Sequence, residues 1–544
     1  MRTKHERHEK RKHLMVNEKG VTLVTALIVM AALMLLGTTA MLNISTDLKI
    51  SGNFKSGEQA LYAAEAGAEY GVNRLREALK VLNGPTTGVV PPAISGFSFQ
   101  NTGTFLATNS TVTEKTMTGA YNGLTAYCQA YTITSTALKD GTNARATVVY
   151  KMEDQLIPLF QFGIFYENDL EMLPGGDMTF TGGRIHSNKD IYMRPWGSKT
   201  LKVDSIITSA GDIVHQRKDY TDTSGAGAVK IKDSTGTYQS LTTDSSSGTW
   251  KADALDSWDG RVKTSDHGIQ KLNLPLSTTG GQPIDILGTG TDSLYVKSGL
   301  RIVNGVAYDR YGTAVTLPAG TITTKTFTDG RESKVMTAVE VDVALLRTST
   351  AAMAALNDPP SGGENGILYI SSDSVTNPAV RLVNGSEMPS GGLSVVTNNP
   401  LYIKGDYNTD NDPAGIFADA VTVLSNNWSD ANSTSGLSSR TASSTQVNAA
   451  IMTGNKNTAG SQYSGGVENL IRFLENWSGK TYTYSGSLTC LWESQQATGN
   501  WPGTGTVYNP PTRNWSYGVS LSNLPPGTPR VRNLERTSWH QVSN

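Results

Sequence analysis

The stretch Lys19–Thr25, which reads KGVTLVT, marks the point where a charged leader ends and an uncharged run begins. Between Val21 and Thr46 no side chain is ionisable. As a helix, this segment would span roughly 39 Å at about 1.5 Å per residue, which exceeds the roughly 30 Å hydrocarbon core of a bilayer. The sequence therefore predicts that residues 21–46 cross a membrane as a helix.

The leader, residues 1–20, carries seven Lys and Arg residues against three Glu residues. Such a positive charge keeps this end cytoplasmic, so we expect the rest of the chain to be exported. A secretory signal peptide would carry a cleavage site of small residues after the apolar run, and Gly37–Ala40 matches that pattern poorly. Gly20 instead ends the leader, and glycine lets unwound backbone enter a peptidase site. We expect cleavage between Gly20 and Val21, with an uncut signal-anchor helix as the alternative.

Two further segments follow the apolar run. Residues 48–54 read LKISGNF and residues 60–67 read ALYAAEAG. Together with Gly20, they resemble the N-terminal region of the PilX family of minor-pilin-like proteins, over about residues 14–80. The resemblance implies removal of the leader by a prepilin peptidase, methylation of the new N-terminus at Val21, and a place in a type IV pilus or related secretion filament.

The helix is expected to continue to residue 82, so that residues 21–82 form a pilin-like N-terminal helix. Its predicted buried face consists of apolar residues spaced by three and four positions: Leu61, Ala64, Ala68, Val72, Leu75 and Leu79. Small side chains in Ala63–Ala68 would let another element approach closely. Glu65 is interpreted as a helix-face or pairing carboxylate. Gly52 and Gly57, with their low helix propensity, predict a local break.

Thr25 is the fifth residue after Gly20. The resemblance implies that most pilins carry Glu here, where it pairs with the freed amine of a neighbouring subunit and compensates a buried charge. Thr25 cannot form that ion pair. A subunit that enters first has no earlier neighbour to pair with, so Thr25 favours a tip or initiator role. The same residue leaves open that the protein joins no filament.

The size of the exported part favours the tip as well. The chain has 544 residues, far more than one compact domain of about 100–200 residues, and such a body on every subunit would collide with its neighbours.

Subtracting the leader's seven basic and three acidic residues from the totals of 46 and 47 leaves 39 basic against 44 acidic residues, a net charge of −5. This composition argues against nucleic acid as a partner.

The predicted fold class is an N-terminal membrane-spanning pilin-like α-helix followed by a mainly-β body. Residues 86–154 are expected to form a small β-rich connecting domain and residues 155–544 a β-rich exported domain. Short apolar runs ended by turn residues, such as 393–397 and 401–404, favour a right-handed parallel β-solenoid over a pair of β-sandwiches. The sequence also predicts an insertion at about residues 220–345 and a helix over residues 466–477.

The chain has two cysteines, Cys128 and Cys490. Export to an oxidising compartment would permit a disulfide between them, and two separated buried thiols are the alternative. Neither residue lies in a CxxC motif, so redox catalysis and zinc binding receive little support.

Residues 406–412, DYNTDND, form a candidate calcium loop. Oxygen ligands occupy positions 1, 3, 5 and 7, as in an EF-hand loop: Asp406, Asn408, Asp410 and Asp412. The pattern is incomplete, because position 6 is Asn411 and position 12 is Phe417. A tight turn would favour Asp and Asn here too. Calcium is the one cofactor that the sequence suggests.

No motif predicts an enzyme. The four histidines after the leader, His186, His215, His267 and His540, lie in no nucleophile motif. Carboxylate pairs such as Asp406 with Asp419 leave open a glycan-active solenoid. We therefore expect that the exported body is not an enzyme.

The sequence predicts a minor-pilin-like component that primes filament assembly and sits at the tip. The alternative is a membrane-anchored adhesive or glycan-active β-solenoid that is not built into a filament. The expected partners are other minor pilins, the major pilin, the inner membrane and a prepilin peptidase. The expected location is the inner membrane with an exported body, in the periplasm or at the cell surface.

Overall fold

The computed structural model describes residues 9–79, 89–100, 105–108, 111–219, 225–274, 276, 278–279, 282–291, 293–360 and 363–542. The chain divides into two compact units. Unit 1 comprises residues 1–111, 129–153 and 534–544, and unit 2 comprises residues 112–128 and 154–533.

The secondary structure consists of one long helix followed mostly by strands. The helices are α1 (Glu9–Ala78), α2 (Trp250–Trp258), α3 (Leu294–Lys297), α4 (Val343–Thr348) and α5 (Thr350–Leu356). The first strands are β1 (Phe97–Gln100), β2 (Leu106–Thr108), β3 (Thr113–Thr116), β4 (Thr125–Lys139), β5 (Arg145–Pro158), β6 (Ile164–Tyr166), β7 (Leu170–Met172), β8 (Met178–Ser187), β9 (Ile191–Met193), β10 (Thr200–Ser209), β11 (Ile213–Val214), β12 (Ala228–Lys232), β13 (Tyr238–Ser240), β14 (Val262–Lys263), β15 (Thr278–Thr279) and β16 (Gln282–Pro283). The remaining strands are β17 (Leu300–Val303), β18 (Val306–Asp309), β19 (Ile322–Asp329), β20 (Lys334–Asp342), β21 (Ile367–Ser371), β22 (Pro378–Val383), β23 (Leu393–Val396), β24 (Pro400–Lys404), β25 (Ala414–Ala418), β26 (Ala420–Leu424), β27 (Thr445–Thr453), β28 (Ile471–Phe473), β29 (Thr481–Cys490), β30 (Thr512–Ser516) and β31 (Arg530–Val542).

Unit 1 packs the second half of α1 against an antiparallel sheet. Strands β1 and β2 pair with β4, and β5 and β31 follow on its other side. The predicted apolar face of the helix is buried here, with Leu61 partly buried and Ala64, Ala68, Val72, Leu75 and Leu79 buried. It contacts a cluster that includes Phe105, Ile133 and Val148. The predicted buried stripe is therefore confirmed.

Helix α1 shows no break at Gly52 or Gly57, so that expectation was wrong. Each glycine costs a helix about 1 kcal/mol relative to alanine, and the flanking turns retain their hydrogen bonds and supply enough stability to continue. The helix ends at Ala78, and the predicted end at residue 82 lies outside the described residues.

Unit 2 contains two large sheets, and consecutive strands of the chain belong to them in turn. From β20 onward the chain alternates between a six-stranded sheet (β20, β22, β24, β26, β28) and a fourteen-stranded sheet (β21, β23, β25, β27, β29). Each strand pairs in parallel with the strand two places later, as residues 380–383 do with residues 401–404. Antiparallel pairs at β12–β13, β17–β18 and β19–β20 make both sheets mixed. A mainly-β body is thus confirmed, while the parallel solenoid stays a prediction.

Two local expectations differ from the structure. The segment at about residues 220–345 is not a separate insertion, because β12 pairs with β10, β17 with β21, and β20 with β22. The predicted helix over residues 466–477 is a short 3₁₀ turn followed by β28, which pairs with residues 421–423 of β26. Its apolar residues suit a helix face and a buried strand alike, and pairing with β26 decides between them.

Candidate functional site

The first half of α1 presents an uncovered apolar surface. The helix is long and apolar enough to cross a membrane. Its large apolar residues between Val21 and Ile50 are all exposed, as Met41 is at 75%. Such a surface requires lipid or other apolar helices around it. Gly20 lies within this helix, and no atom comes within 4 Å of the position that a Cβ there would take.

The Thr25 side chain is satisfied within its own helix. Its hydroxyl donates a hydrogen bond to the carbonyl of Val21 at 2.7 Å. The hydroxyl is neutral and cannot compensate a neighbouring ammonium group as a carboxylate would. The role of Thr25 in assembly stays a prediction.

The second half of α1 carries an acidic contact that the sequence analysis missed. Glu69, one turn after Glu65, accepts a hydrogen bond from Tyr150 at 3.0 Å and pairs with Arg536 at 2.8 Å. Glu65 is half-buried, and its charge adds to the field at Tyr150. Burial, together with the Glu69 carboxylate, raises the pKa of Tyr150 to about 12. Both glutamates therefore act in the helix–sheet packing of unit 1.

The two cysteines are buried thiols, so the structure contains no Cys128–Cys490 disulfide. The Cys128 thiol donates to the carbonyl of Ala126 at 3.8 Å, and the Cys490 thiol donates to that of Trp492 at 3.6 Å. Burial raises the pKa of Cys490 to about 12, which disfavours the reactive thiolate. The alternative of two buried thiols fits the structure, because each side chain packs within its own strand environment.

The predicted calcium loop is held by its own side chains. The Asn408 amide oxygen accepts from the Asp412 N–H at 2.9 Å, and its NH₂ group donates to the carbonyls of Asp412 and Asn448 at 2.7 and 2.8 Å. The Asp406 carboxylate accepts from the Gln446 N–H at 2.8 Å. The structure gives Asp410 no role in this network. In the described part of the chain, no group of three or more His, Cys, Asp or Glu side chains could hold a metal ion.

The other candidate catalytic side chains have structural partners. Asp419 is buried and accepts hydrogen bonds from the backbone N–H groups of residues 495, 496 and 497 at 2.6–3.0 Å. His186 is buried between Thr208 and Asn188, and burial lowers its pKa to about 4. His267 belongs to a capping box with Thr264. The hydrogen bonds of Asp419 and His186 satisfy buried polar groups, and those of His267 stabilise a local turn.

A cleft of about 1060 Å³ opens in unit 2. Its walls are mainly loops, namely residues 173–177, 461–463, 500–504 and 510–511. Four lining side chains form a continuous row, which we call the aromatic row: Trp196, Arg217, Tyr463 and Trp501. Trp196 is 59% exposed, although it is large and apolar. This volume lies at the upper end of the range for ligand pockets, about 300–1,000 Å³.

Contacts between neighbouring side chains connect the aromatic row. The Arg217 guanidinium lies 5.9 Å from the ring centre of Trp196 and 5.0 Å from that of Tyr463. The rings of Tyr463 and Trp501 meet edge to face at 5.3 Å. Asp219 fixes Arg217 through two hydrogen bonds of 2.7 and 2.6 Å. The indole N–H of Trp501 donates to the Tyr508 hydroxyl at 2.9 Å. Little reorganisation would therefore accompany binding.

The buried carboxylates around the cleft are used by the protein itself. The Glu468 carboxylate accepts from the Tyr463 hydroxyl and from the Leu173 N–H, and burial raises its pKa. Glu171 is 2% exposed and is not among the lining residues. Burial, with a smaller contribution from the nearby Glu468, raises its pKa to about 7. The arrangement offers contacts for binding more than a carboxylate pair for hydrolysis.

The sequence analysis missed this cleft. Its aromatic row draws on positions separated by 305 residues, from Trp196 to Trp501. The one available signal was local: residues 500–511, NWPGTGTVYNPP, combine Trp and Tyr with Gly and Pro, which is typical of a shaped loop. That signal does not reveal which other loops lie opposite.

Comparison with known proteins agrees with the N-terminal geometry. Residues 19–69 match the family model of the PilX N-terminal region. This segment of the chain is therefore type IV pilin-like, as the sequence predicted. No curated protein matches the chain. Among solved structures, the chain is similar to the competence-associated pilin ComZ from Thermus thermophilus, with 11% sequence identity and a TM-score of 0.28, covering 89% of this chain and 97% of that chain.

Proposed function

We propose that the protein is a minor-pilin-like component of a type IV pilus or related secretion filament, which primes assembly and sits at the filament tip. The observation that carries this proposal is the pilin-like segment at residues 19–69, whose apolar helix is uncovered in the structure. An apolar helix of this length is satisfied first by the bilayer and then by the bundled helices of a filament. Its partners are accordingly other minor pilins and the major pilin.

The path to the filament begins in the inner membrane. A prepilin peptidase removes residues 1–20 and leaves Val21 as the first residue, while the mainly-β body is exported. The net charge of −5 after Gly20 supports a protein partner over nucleic acid. The body acts by binding and assembly and not as an enzyme, since its buried carboxylates and His186 are committed to internal hydrogen bonds.

Two features support a place at the tip. The Thr25 hydroxyl bonds to Val21 within the helix, so this subunit brings no carboxylate to an earlier neighbour. Unit 2 alone spans residues 112–128 and 154–533, a volume that would obstruct close subunit packing along a shaft. A single copy at the end of a filament needs no carboxylate for an earlier neighbour, and its large body has no shaft neighbours to obstruct.

The alternation of strands from β20 to β29 supports a parallel β-solenoid for this part of the body. Each passage of the chain adds one strand to each sheet, and each strand pairs in parallel with the strand that the previous passage added. The antiparallel pair β17–β18 lies at one end of the fourteen-stranded sheet and ends its run of parallel strands there.

Immunogold labelling of sheared filaments, with quantitative mass spectrometry, tests the proposal. Label should lie at one end, and the protein should be far less abundant than the major pilin. Deletion should reduce the number of filaments more than their length, because an initiator acts once per filament. Label along the whole shaft would exclude the tip position. Unchanged piliation after deletion would favour the alternative, a membrane-anchored adhesive or glycan-active solenoid outside any filament.

A further inference from the structure

The cleft in unit 2 has an exposed aromatic side chain, which is not packed into the core. Trp196 is 59% exposed, whereas other tryptophans of unit 2, such as Trp250 and Trp477, are buried. Arg217 lies beside the Trp196 ring and leaves much of the indole uncovered. An exposed aromatic ring beside a cleft of this size is typical of a binding anchor.

The polar lining is balanced in charge. Arg217 and Asp219 form a two-point ion pair whose side chains are 11% and 4% exposed. Arg513, whose guanidinium donates to the Glu468 backbone carbonyl at 3.0 Å, lines the same cleft as the carboxylates of Asp177 and Glu468. A strongly anionic ligand would meet these carboxylates, and a cationic ligand would meet the guanidinium groups. The cleft therefore suits a neutral ligand with many hydrogen-bonding groups.

We propose that this cleft binds a neutral oligosaccharide, with pyranose rings stacked on Trp196 and Trp501 and with hydroxyl groups bonded to the polar lining. A pyranose ring has apolar C–H faces and a polar rim of hydroxyls, which matches aromatic rings that alternate with the Arg217–Asp219 pair. The exposed amide of Gln462, which also lines the cleft, adds donor and acceptor groups.

Loop walls favour a sugar over a peptide. Peptides often bind by adding a strand to an open sheet edge, but this cleft is formed mainly by loops. Its volume of about 1060 Å³ accommodates a few sugar rings. The proposal concerns unit 2 alone and holds whether or not the protein enters a filament.

The test uses the purified full-length chain in a zwitterionic detergent, because a maltoside headgroup would itself be a ligand candidate. A printed array of neutral gluco-, galacto-, manno- and N-acetylglucosamine oligosaccharides, with uronic-acid oligosaccharides and a polyproline peptide, identifies the probe. Titration of the best neutral oligosaccharide then gives Kd. We expect binding to at least one neutral series and weaker binding to the uronic acids.

Three variants tie the binding to the cleft. Trp196→Ala should weaken Kd at least tenfold, and Trp196→Phe should restore most of the affinity because a ring face remains. Trp539→Ala is the matched control, since Trp539 is 48% exposed but lies in β31 of unit 1, and it should leave Kd unchanged. The proposal is overturned if no neutral oligosaccharide binds, if Trp196→Ala binds as the unmodified chain does, or if only the polyproline peptide binds.

Discussion

Gly67 of helix α1 approaches Ser135 of strand β4 so closely that a Cβ atom on Gly67 would lie 2.3 Å from the Ser135 hydroxyl oxygen. The ring of Phe99 would be 2.6 Å from the same atom. The last residue of the segment ALYAAEAG is thus a point of close contact between helix and sheet. This contact explains why position 67 requires a residue without a side chain, and the explanation does not depend on any family resemblance.

Gly67→Val should destabilise unit 1 by about 1–3 kcal/mol relative to Gly52→Val. Both changes place the same β-branched residue in α1, but no atom lies within 4 Å of a Cβ at Gly52. The difference therefore isolates the clash with Ser135 and Phe99. Chemical unfolding of the full-length chain in detergent measures it, and equal stabilities of the two variants would contradict the contact.

Gly20→Val should block removal of the leader in cells that contain a prepilin peptidase. A β-branched residue obstructs the unwound backbone that such a peptidase site needs. Intact mass should show a chain beginning at Val21 for the unmodified protein and the uncut chain for the variant. Gly37→Val is the control, because Gly37 lies in the same helix with equal space around it and should not affect cleavage. An uncut unmodified chain would favour the signal-anchor alternative.

Glu171 should make unit 2 less stable as the pH rises from about 4.5 to 7. Burial raises the pKa of Glu171 from its ordinary value of 4.5 to about 7, so in this range the folded state keeps a proton that the unfolded state releases. The contribution of Glu171 to the free energy of unfolding therefore falls across this window, by up to about 3 kcal/mol, and is constant above it.

Glu171→Gln should make this slope shallower and raise the melting temperature at pH 8, with little effect at pH 4.5. Glu364→Gln is the control, because Glu364 is exposed and its side-chain oxygen can still accept from the Gly527 N–H. Thermal melting at several pH values distinguishes the two variants. Parallel curves for Glu171→Gln and the unmodified chain would show that Glu171 does not carry the proton.

Asn408→Asp should destabilise the body by at least about 2 kcal/mol, because the new carboxylate cannot donate to the carbonyls of Asp412 and Asn448. Asn411→Asp is the control, since Asn411 also has a positive φ, of 60°, but is exposed. Melting is measured with calcium and with a chelator. Recovery of Asn408→Asp in calcium alone would support the calcium loop that the sequence predicted.

Local patterns were reliable where one element carries its own signal. The uncharged run after Gly20 and the apolar stripe from Leu61 to Leu79 both depend on neighbours along one helix, so periodicity and charge suffice to predict them. The turn residues Asp406–Asp412 were recognised as a loop for the same reason. Whether their oxygens would bind calcium or hold the turn depended on Asn448, which lies 40 residues away.

By itself, the sequence determined the apolar membrane-length helix, its buried face, the pilin-like segment and the mainly-β character of the body. Only the tertiary structure decided that residues 471–473 form a strand and not a helix, because these residues pair with β26. It also decided the aromatic row, because Trp196 and Tyr463 become neighbours only when distant loops meet at one cleft. A helix is stabilised by contacts between residues three or four positions apart, so its pattern can be recognised in a short stretch of sequence. Contacts between strands or loops join residues far apart in sequence and form only when the whole unit packs.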